Sequence, residues 1–377
     1  MDIFNFNCVM IMFKCLCGVV TLFMVGYWMK KFQKDEDVSQ VQYISMHSME
    51  EFIYPEMTIC ILEPFLIQAF EDTLNIDDYM EYLNGDGDHD EKYKSISFSN
   101  VTINIFEYLE DINLWKLDNT MDRICCPGER NDHAIELRNS FNGLIEGYFA
   151  KCFSIGISPK FREPVGDIKL GFNQILTQVI EDMQKKKFGR YNIYLFSNLR
   201  NQVSRYVKKA QNIWQTSPNK NMNLGVRIAS TEILRRRNKR GDPCITNWKD
   251  YDNVLMNEHI DRVGCSNPYL KQGKAICSNA TKIKESRYDM NIIRKKFKAC
   301  EEMSNIEIQY IDKGISLADN ATFSLWIEYS SDLKLITQAP SVDLHALIGN
   351  IGGYIGLFLG MSSIIFIFLC YIHCLYM

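Results

Sequence analysis

The two ends of this chain carry long apolar segments that are almost free of charge. After Asp343 the sequence contains no Asp, Glu, Lys or Arg, and between Ile3 and Met29 the only such residue is Lys14. An α-helix needs roughly 20 apolar residues to cross the hydrocarbon core of a bilayer. The C-terminal segment exceeds this length, which predicts a membrane span at the end of the chain.

The N-terminal segment predicts another span over residues 15–32, with Lys14 and Lys30 reaching toward opposite interfaces. A cleaved signal peptide has the same apolar character, but no small-residue cleavage pattern follows, and Trp28 is typical of an interfacial anchor. The C-terminal span is predicted over residues 344–372. A lipid-anchor signal is the alternative there, but glycines occupy the place of its polar spacer.

Two spans place both termini on one side of the membrane and the intervening chain on the other. The predicted division is a short cytoplasmic N-terminus (1–14), an extracellular domain (33–343) and a residual C-terminus (373–377). Three N-glycosylation sequons support an extracellular location, and they begin at Asn100, Asn279 and Asn320. We therefore expect a cell-membrane protein with both termini cytoplasmic. A net charge of −4 gives no indication of a nucleic-acid partner.

The predicted extracellular domain is rich in cysteine. It holds Cys60, Cys125, Cys126, Cys152, Cys244, Cys265, Cys277 and Cys300. An even number of cysteines outside the cell favours disulfides, whose connectivity cannot be deduced from their count. No Cys-x-x-Cys pair and no Cys/His cluster has zinc spacing, so we expect no metal site.

Hydrophobic patterning predicts an α+β fold for the extracellular domain. Residues 133–149 have apolar side chains near helical spacing and predict an amphipathic helix. A second helix is expected between Cys244 and Cys265, with Tyr251 and His259 on one side. Strand-like alternation occurs in "GVRIASTEI", "NIEIQYI" and "TFSLWIEY". No Ser/His/Asp order or paired carboxylate stands out, so we expect neither catalysis nor a cofactor.

The C-terminal segment "LIGNIGGYIGLFLGMSS" contains five glycines within its apolar run. Glycine weakens a transmembrane helix unless something is gained. Small residues let neighbouring helices approach closely. Alternatively, locally exposed backbone carbonyls line a water-filled pore and replace the hydration shell of an ion. The residues alone leave these two interpretations open.

Several stretches resemble the degenerin/epithelial sodium channel superfamily, in the order that this family shows. The final segment resembles its second transmembrane segment, in which a glycine-rich region precedes Gly-x-Ser, here Gly360, Met361 and Ser362. "YPEMTIC" is similar to a strand that follows the first span, and "GYFAKCFSI" is similar to a second conserved stretch of that family. The region "NKRGDPC…VGCSNPY…AIC…KACEEM" resembles a reduced version of its cysteine-rich thumb.

The resemblance implies a homo- or heterotrimeric, sodium-permeable, amiloride-sensitive cation channel with a hand-like, disulfide-bonded extracellular domain. It implies a selectivity filter at Gly360, Met361 and Ser362. Ala346 matches a small-residue position in the pore, Asn350 matches a pore-facing position, and Gly353 lies with them. The disulfides it implies are Cys60–Cys152, Cys244–Cys300 and Cys265–Cys277, which leaves Cys125 and Cys126 unassigned.

The sequence also departs from the family pattern. A cytoplasmic His-Gly motif before the first span is absent, and Phe368 falls near the place of an acidic residue that follows Gly-x-Ser. These departures leave an auxiliary or non-conducting subunit as an alternative. A two-span receptor or adhesion protein is the alternative from another class. The gating stimulus expected for a channel is an extracellular ligand or mechanical force, and proton gating is not supported.

Overall fold

The computed structural model divides the chain into two compact units. The sheet unit comprises Val41–Ile336, and the terminal unit comprises Met1–Gln40 together with Thr337–Met377. The described residues are 3–45, 54–70, 75–86, 91–117, 123–125, 134–161, 163–185, 193–200, 202, 211–212, 222–239, 241–246, 250–270, 275–287, 298–312, 323–329 and 332–358.

Helices and strands both contribute to the described part of the chain. The α-helices are α1 (Ile3–Lys34), α2 (Ile76–Asn84), α3 (Glu91–Lys94), α4 (Phe98–Val101), α5 (Gln174–Lys185), α6 (Tyr251–Val263), α7 (Ala280–Glu285) and α8 (Leu344–Phe358). The strands are β1 (Asp37–Ser45), β2 (Glu56–Leu62), β3 (Leu109–Leu117), β4 (Arg123–Cys125), β5 (Ile135–Ile145), β6 (Tyr148–Ile157), β7 (Val165–Phe172), β8 (Ile193–Asn198), β9 (Gln211–Asn212), β10 (Met222–Arg235), β11 (Glu301–Asp312), β12 (Phe323–Tyr329) and β13 (Asp332–Pro340).

The smaller of two sheets is antiparallel, with the strand order β5-β6-β2-β8-β9. Its central strand β2 is buried at every position. Successive side chains of a strand point to opposite faces. Accordingly, Ile59 and Ile61 pack into one hydrophobic cluster and Cys60 and Leu62 pack into another. The smaller sheet is therefore covered on both faces.

The helix predicted over residues 133–149 is wrong, because the structure forms the hairpin β5–β6 there. The two strands meet at Glu146 and Gly147, which both have positive φ (54° and 90°). A two-residue turn with this geometry matches the twist of paired strands. A bulge between Asn139 and Phe141 breaks the period-two alternation. The resulting apolar spacing imitates that of a helix.

The larger sheet has the strand order β1-β13-β10-β12-β7-β3-β4, and β11 also pairs with β10. Strands β10 and β12 are parallel, whereas β11 is antiparallel to β10 and β7 is antiparallel to β12. The three strand stretches predicted from alternation are confirmed as parts of β10, β11 and β12. Residues of β7, β10 and β12 share one hydrophobic cluster with β2, β6 and α5.

The predicted helix between Cys244 and Cys265 is confirmed as α6. Its side chains Tyr251, Leu255 and His259 are buried, as the pattern predicts. The helix ends at Gly264, whose φ of 88° is favourable for glycine at a helix C-terminus. The described chain is thus a sheet-rich, disulfide-bonded domain with a long apolar helix at its N-terminus.

Candidate functional site

Helix α8 contains the described part of the glycine-rich segment, and Asp343 starts it. The Asp343 carboxylate accepts a hydrogen bond from the backbone N–H of Ala346 (2.6 Å), and its carbonyl accepts one from the N–H of Leu347 (2.9 Å). Asp343 therefore acts as an N-cap. In the sequence, Asp343 is noted only as the last charged residue of the chain. An aspartate directly before an apolar helix is also an N-cap signal, which would have predicted this start of α8.

The side chains of α8 are segregated by size. Successive residues of an α-helix are rotated by about 100°. On this basis, one half contains the small and polar side chains, with Leu357 as its bulky exception. This small half consists of His345, Ala346, Gly349, Asn350, Gly352, Gly353, Gly356 and Leu357. The bulky half consists of Leu344, Leu347, Ile348, Ile351, Tyr354, Ile355 and Phe358.

The glycines of the small half of α8 meet no other part of the described residues. A methyl group added at Gly349, Gly352, Gly353 or Gly356 would meet no atom within 4 Å. These glycines therefore do not bring α8 close to another part of the described chain. The bulky half differs, because Leu347 is buried whereas Ile348 is 61% exposed. Part of this half packs against the chain, and part presents apolar surface.

The predicted pore residues in α8 lie on one face. Ala346, Asn350 and Gly353 fall within an arc of about 60° in helical projection. Ala346 and Gly353 are exposed, and Asn350 is half-buried. The predicted filter, Gly360 to Ser362, lies outside the described residues. With 15 residues, α8 as described covers about 22 Å, less than the ~30 Å of hydrocarbon in a bilayer.

Helix α1 is long and apolar enough to cross a membrane by length and composition. Its 32 residues cover about 48 Å, more than the predicted span of residues 15–32. Large apolar side chains such as Leu22 (74% exposed) and Phe23 (72%) are not covered by the chain. Near its C-terminal end, the Lys31 ammonium lies 5.2 Å from the centre of the Trp28 ring. This aromatic and basic end is typical of an interfacial anchor.

Both terminal helices connect to one pair of neighbouring strands. Helix α1 leads into β1, α8 follows β13, and these two strands are adjacent in the larger sheet. The backbone N–H of Ser341 donates a hydrogen bond of 2.7 Å to the carbonyl of Glu36. The chain thus leaves α1 and enters α8 at neighbouring points within the terminal unit.

Three disulfides occur among the described residues, and they are the pairs that the family resemblance implies. They join Cys60 to Cys152, Cys244 to Cys300 and Cys265 to Cys277. Cys60 and Cys152 are directly opposite each other in the β2–β6 pair, which explains their Cα separation of 4.0 Å. The backbone of Cys125 lies in β4, and Cys126 lies outside the described residues.

Two of the predicted glycosylation sites lie on the surface. Asn100 is exposed in α4, and Asn279 is exposed at the start of α7. The Asn279 side-chain oxygen accepts a hydrogen bond of 2.8 Å from the backbone N–H of Lys282. Asn320 lies outside the described residues. Within the described part of the chain, no three His, Cys, Asp or Glu side chains are placed to hold a metal ion.

A charged network that sequence reasoning missed connects β2, β5 and the segment that follows β8. The Arg138 guanidinium donates a hydrogen bond of 2.5 Å to the buried carboxylate of Glu56. Arg200 forms an ion pair of 2.8 Å with Glu136, whose carboxylate also lies 4.0 Å from Arg138. These residues are far apart in the sequence, and neither their spacing nor their types distinguish them from surface charges.

Burial shifts the pKa of the acidic groups near Glu56. It raises the pKa of the Glu56 carboxyl, and the Arg138 guanidinium opposes this shift. Burial also raises the pKa of Tyr54 to about 12. The pKa of Tyr329 is raised by burial and, secondarily, by the negative charge of Glu56. Tyr54 and Tyr329 pack edge to face with ring centres 5.2 Å apart.

No family model matches this chain, and no curated protein matches it. A solved structure of a proton-activated chloride channel aligns with 97% of this chain and 98% of its own, at 8% sequence identity and a TM-score of 0.25. A likeness at this level establishes neither a shared fold nor a shared function.

Proposed function

We propose that this protein is a subunit of a trimeric, sodium-permeable cation channel of the degenerin/epithelial sodium channel type. In this proposal α1 and the apolar C-terminal segment cross the cell membrane, both termini are cytoplasmic, and the sheet unit is extracellular. Three disulfides support the extracellular location, because disulfides persist in oxidising compartments.

The observation that carries the proposal is the segregation of α8 into a small half and a bulky half. A helix surrounded by lipid has no reason to concentrate glycine, alanine and asparagine on one side. Among the described residues nothing lies within 4 Å of a methyl group added at its glycines, and in this proposal water and the other subunits fill that space. Three copies arranged with their small halves inward would enclose a narrow aqueous path.

The chemistry of the segment suits ion passage. The C-terminal run lacks Asp, Glu, Lys and Arg after Asp343, so carbonyl and hydroxyl oxygens are the groups available to replace the hydration shell of sodium. Gly360 and Ser362 supply such oxygens in the family resemblance. Amiloride block and gating by an extracellular ligand or by force are further parts of the proposal, and they rest on that resemblance.

Cysteine accessibility in oocytes tests the proposal. We expect Gly353→Cys to react with a charged methanethiosulfonate reagent and to change the sodium current, because the reactive thiolate requires water. Ile355→Cys is the matched control, since it lies on the bulky half of the same helix. The unsubstituted chain controls for reaction of the native cysteines. The channel must be open without a known stimulus, so each cysteine substitution is combined with Ala346→Phe in the same chain. Ala346→Phe places a bulky side chain at the predicted gate.

We expect a constitutive inward sodium current with Ala346→Phe. The reagent should modify this current in the variant that also carries Gly353→Cys, and its reaction rate should be at least about tenfold lower with Ile355→Cys. Equal labelling of both cysteines from the lipid phase would contradict a pore along the small half. Absence of current from this chain, alone and together with same-family subunits, would favour the receptor or adhesion alternative. Current only in the presence of partner subunits would identify an auxiliary subunit.

A further inference from the structure

An open pocket of about 620 Å³ lies at the edge of the smaller sheet. Its walls come from the start of β5, the turn after β6 and Arg200, which lies two residues after the end of β8. Pockets that hold small ligands have volumes of about 300–1,000 Å³. This pocket is far in sequence from the glycine-rich segment, and nothing in the proposed pore uses it.

The turn after β6 forms a defined wall of this pocket. The backbone N–H of Ser158 donates to the carbonyl of Ala134 (2.8 Å), which joins the turn to the start of β5. The N–H of Phe161 donates to the carbonyl of Ser158 (2.9 Å), and the Ser158 hydroxyl accepts from the N–H of Lys160 (3.4 Å). These hydrogen bonds place Lys160 and Phe161 side by side at the pocket.

The pocket carries one excess positive charge. Lys160, Arg200 and Glu136 all line it, which gives two cations and one carboxylate. Among the described residues, Arg200 pairs with Glu136 through Nη2, and a guanidinium has five N–H donors. Lys160 is exposed, and its ammonium contacts no hydrogen-bonding or charged group among the described residues. Donors therefore remain for an anionic group.

Ion pairs with residues outside the pocket hold the Glu136 and Arg200 side chains in place. Glu136 lies between Arg200 and Arg138, and Arg138 is anchored by the buried carboxylate of Glu56. This arrangement fixes the Glu136 carboxylate and, through it, the Arg200 guanidinium. A preorganised cation loses less conformational entropy when it binds a ligand.

The rest of the lining is apolar. Ile135 is buried at the start of β5, and Phe161 is half-buried, with the Lys116 ammonium 5.6 Å from the centre of its ring. Pro159 adds a further apolar surface. A site that combines an apolar wall with a forked cation suits a carboxylate that sits next to an apolar side chain.

From this geometry we propose that the pocket binds a carboxylate carried beside an apolar side chain, with Arg200 and Lys160 as the anion-binding residues and Phe161 as the apolar wall. A small carboxylic acid and the C-terminus of a peptide share this chemistry. The site is independent of ion conduction, so it is tested by binding and not by current.

The binding experiment uses the full chain in lipid nanodiscs and isothermal titration. N-acetyl-L-phenylalanine is the acid probe, and N-acetyl-L-phenylalaninamide is its uncharged control. We expect the acid to bind and the amide to bind at least about tenfold more weakly, the effect of losing a hydrogen bond between charged groups. A tetrapeptide with a free C-terminal phenylalanine distinguishes the two kinds of ligand. If it binds more tightly than the acid probe, the ligand is a peptide C-terminus. If it binds equally tightly, the ligand is a small acid.

Three variants test the charged residues of the pocket, and a fourth is a control. Arg200→Gln is expected to weaken acid binding about tenfold, and Lys160→Gln about threefold, since an exposed ammonium contributes less. Glu136→Gln removes a carboxylate that both orients Arg200 and competes for it. Because losing a competing negative charge outweighs the loss of preorganisation, acid binding is expected to strengthen. A purely structural role of Glu136 predicts the opposite sign. Lys282→Gln, an exposed lysine in α7, is the control and should leave binding unchanged.

Several outcomes would overturn the inference. They are no saturable binding of either acid probe, equal affinity for acid and amide, or unaltered affinity in both Arg200→Gln and Lys160→Gln. Because the Lys160 ammonium is exposed and forms no ion pair within the described residues, Lys160→Gln is expected to fold normally. This variant keeps the test decisive if Arg200→Gln misfolds.

Discussion

The sheet unit and the terminal helices use apolar residues in opposite ways. In β2 all seven residues are buried, because both faces of the smaller sheet are covered by hydrophobic clusters. In α8 four glycines face open space, and Ile348 and Leu357 are more than half exposed. Strand β2 buries its side chains against other residues of the chain, whereas α8 leaves much of its apolar surface exposed.

This difference indicates where the chain depends on its surroundings. A buried strand is specified by its own neighbours, so its stability is an intramolecular property. An exposed apolar helix is stable only when lipid or another subunit removes its surface from water. Substitutions in the sheet unit should therefore alter folding. Substitutions in α8 should alter its contacts with lipid or another subunit and, under the proposed function, conduction.

The largest expected effect is the loss of the buried disulfide in the smaller sheet. Replacing Cys60 and Cys152 by alanine opens a loop of 92 residues, which corresponds to about 4.5 kcal/mol of chain entropy in the unfolded state. The matched control, Cys265 and Cys277 to alanine, opens a loop of 12 residues, worth about 3 kcal/mol. Urea unfolding followed by tryptophan fluorescence measures both, and a larger loss in the control would contradict the expected order.

A smaller effect is expected where α2 meets α7. Gly85 has a φ of 71°, and a methyl group there would lie 2.4 Å from the carbonyl oxygen of Ala280 and 2.8 Å from the backbone nitrogen of Lys284. Since both are backbone atoms, Gly85→Ala should cost about 3 kcal/mol.

Gly147→Ala is the control for this substitution. Gly147 also has positive φ (90°), but a methyl group there meets nothing within 4 Å, so only backbone strain of about 1 kcal/mol is expected. Thermal unfolding of the two variants separates close approach from strain. Equal losses would show that α2 and α7 do not need the contact at Gly85.

The same substitution in the two regions gives the sharpest comparison. A methyl group at Gly156 in β6 would lie 2.7 Å from the Glu56 side chain, so Gly156→Ala should destabilise the sheet unit by about 2 kcal/mol. Gly353→Ala should leave the free energy of unfolding of the sheet unit within about 0.5 kcal/mol of that of the unsubstituted chain. A comparable loss with Gly353→Ala would mean that α8 is packed inside the folded chain.

The smallest expected effect is a pH dependence in α6. Burial lowers the pKa of His259, whose Nε2 lies 3.1 Å from the carbonyl of Ser286. The unfolded state therefore binds a proton on His259 more tightly than the folded state does. As pH falls below the ordinary pKa of histidine, the free energy of unfolding decreases. His259→Gln should remove this part of the pH dependence, measured by hydrogen exchange of α6 between neutral and mildly acidic pH. An unchanged pH profile in the variant would contradict this assignment.

Local patterns predicted many of the elements of the sheet unit. Alternation identified β10, β11 and β12, and apolar spacing identified α6 with its buried Tyr251 and His259. The β5–β6 hairpin was mistaken for a helix because the bulge at Asn139 and Phe141 displaces the alternation by one residue. A bulge depends on the partner strand, which the sequence of one strand does not reveal.

The candidate sites divide in the same way. The family resemblance implies a pore position for Ala346, Asn350 and Gly353, and their spacing in α8 brings all three to one face of the helix. Their role in a pore stays a prediction. The charged pocket was not predicted, because Glu136, Lys160 and Arg200 come from three separate segments. Only the tertiary structure brings such residues together, whereas the periodicity of one helix can be read directly.

The hydrogen bond between Ser341 and Glu36 has a mechanical consequence. Helix α1 leads into β1 and α8 follows β13, and these two strands are neighbours in the larger sheet. The exit of α1 and the entry of α8 are thus held together at one junction of the terminal unit, so a force applied to either helix would be shared by both.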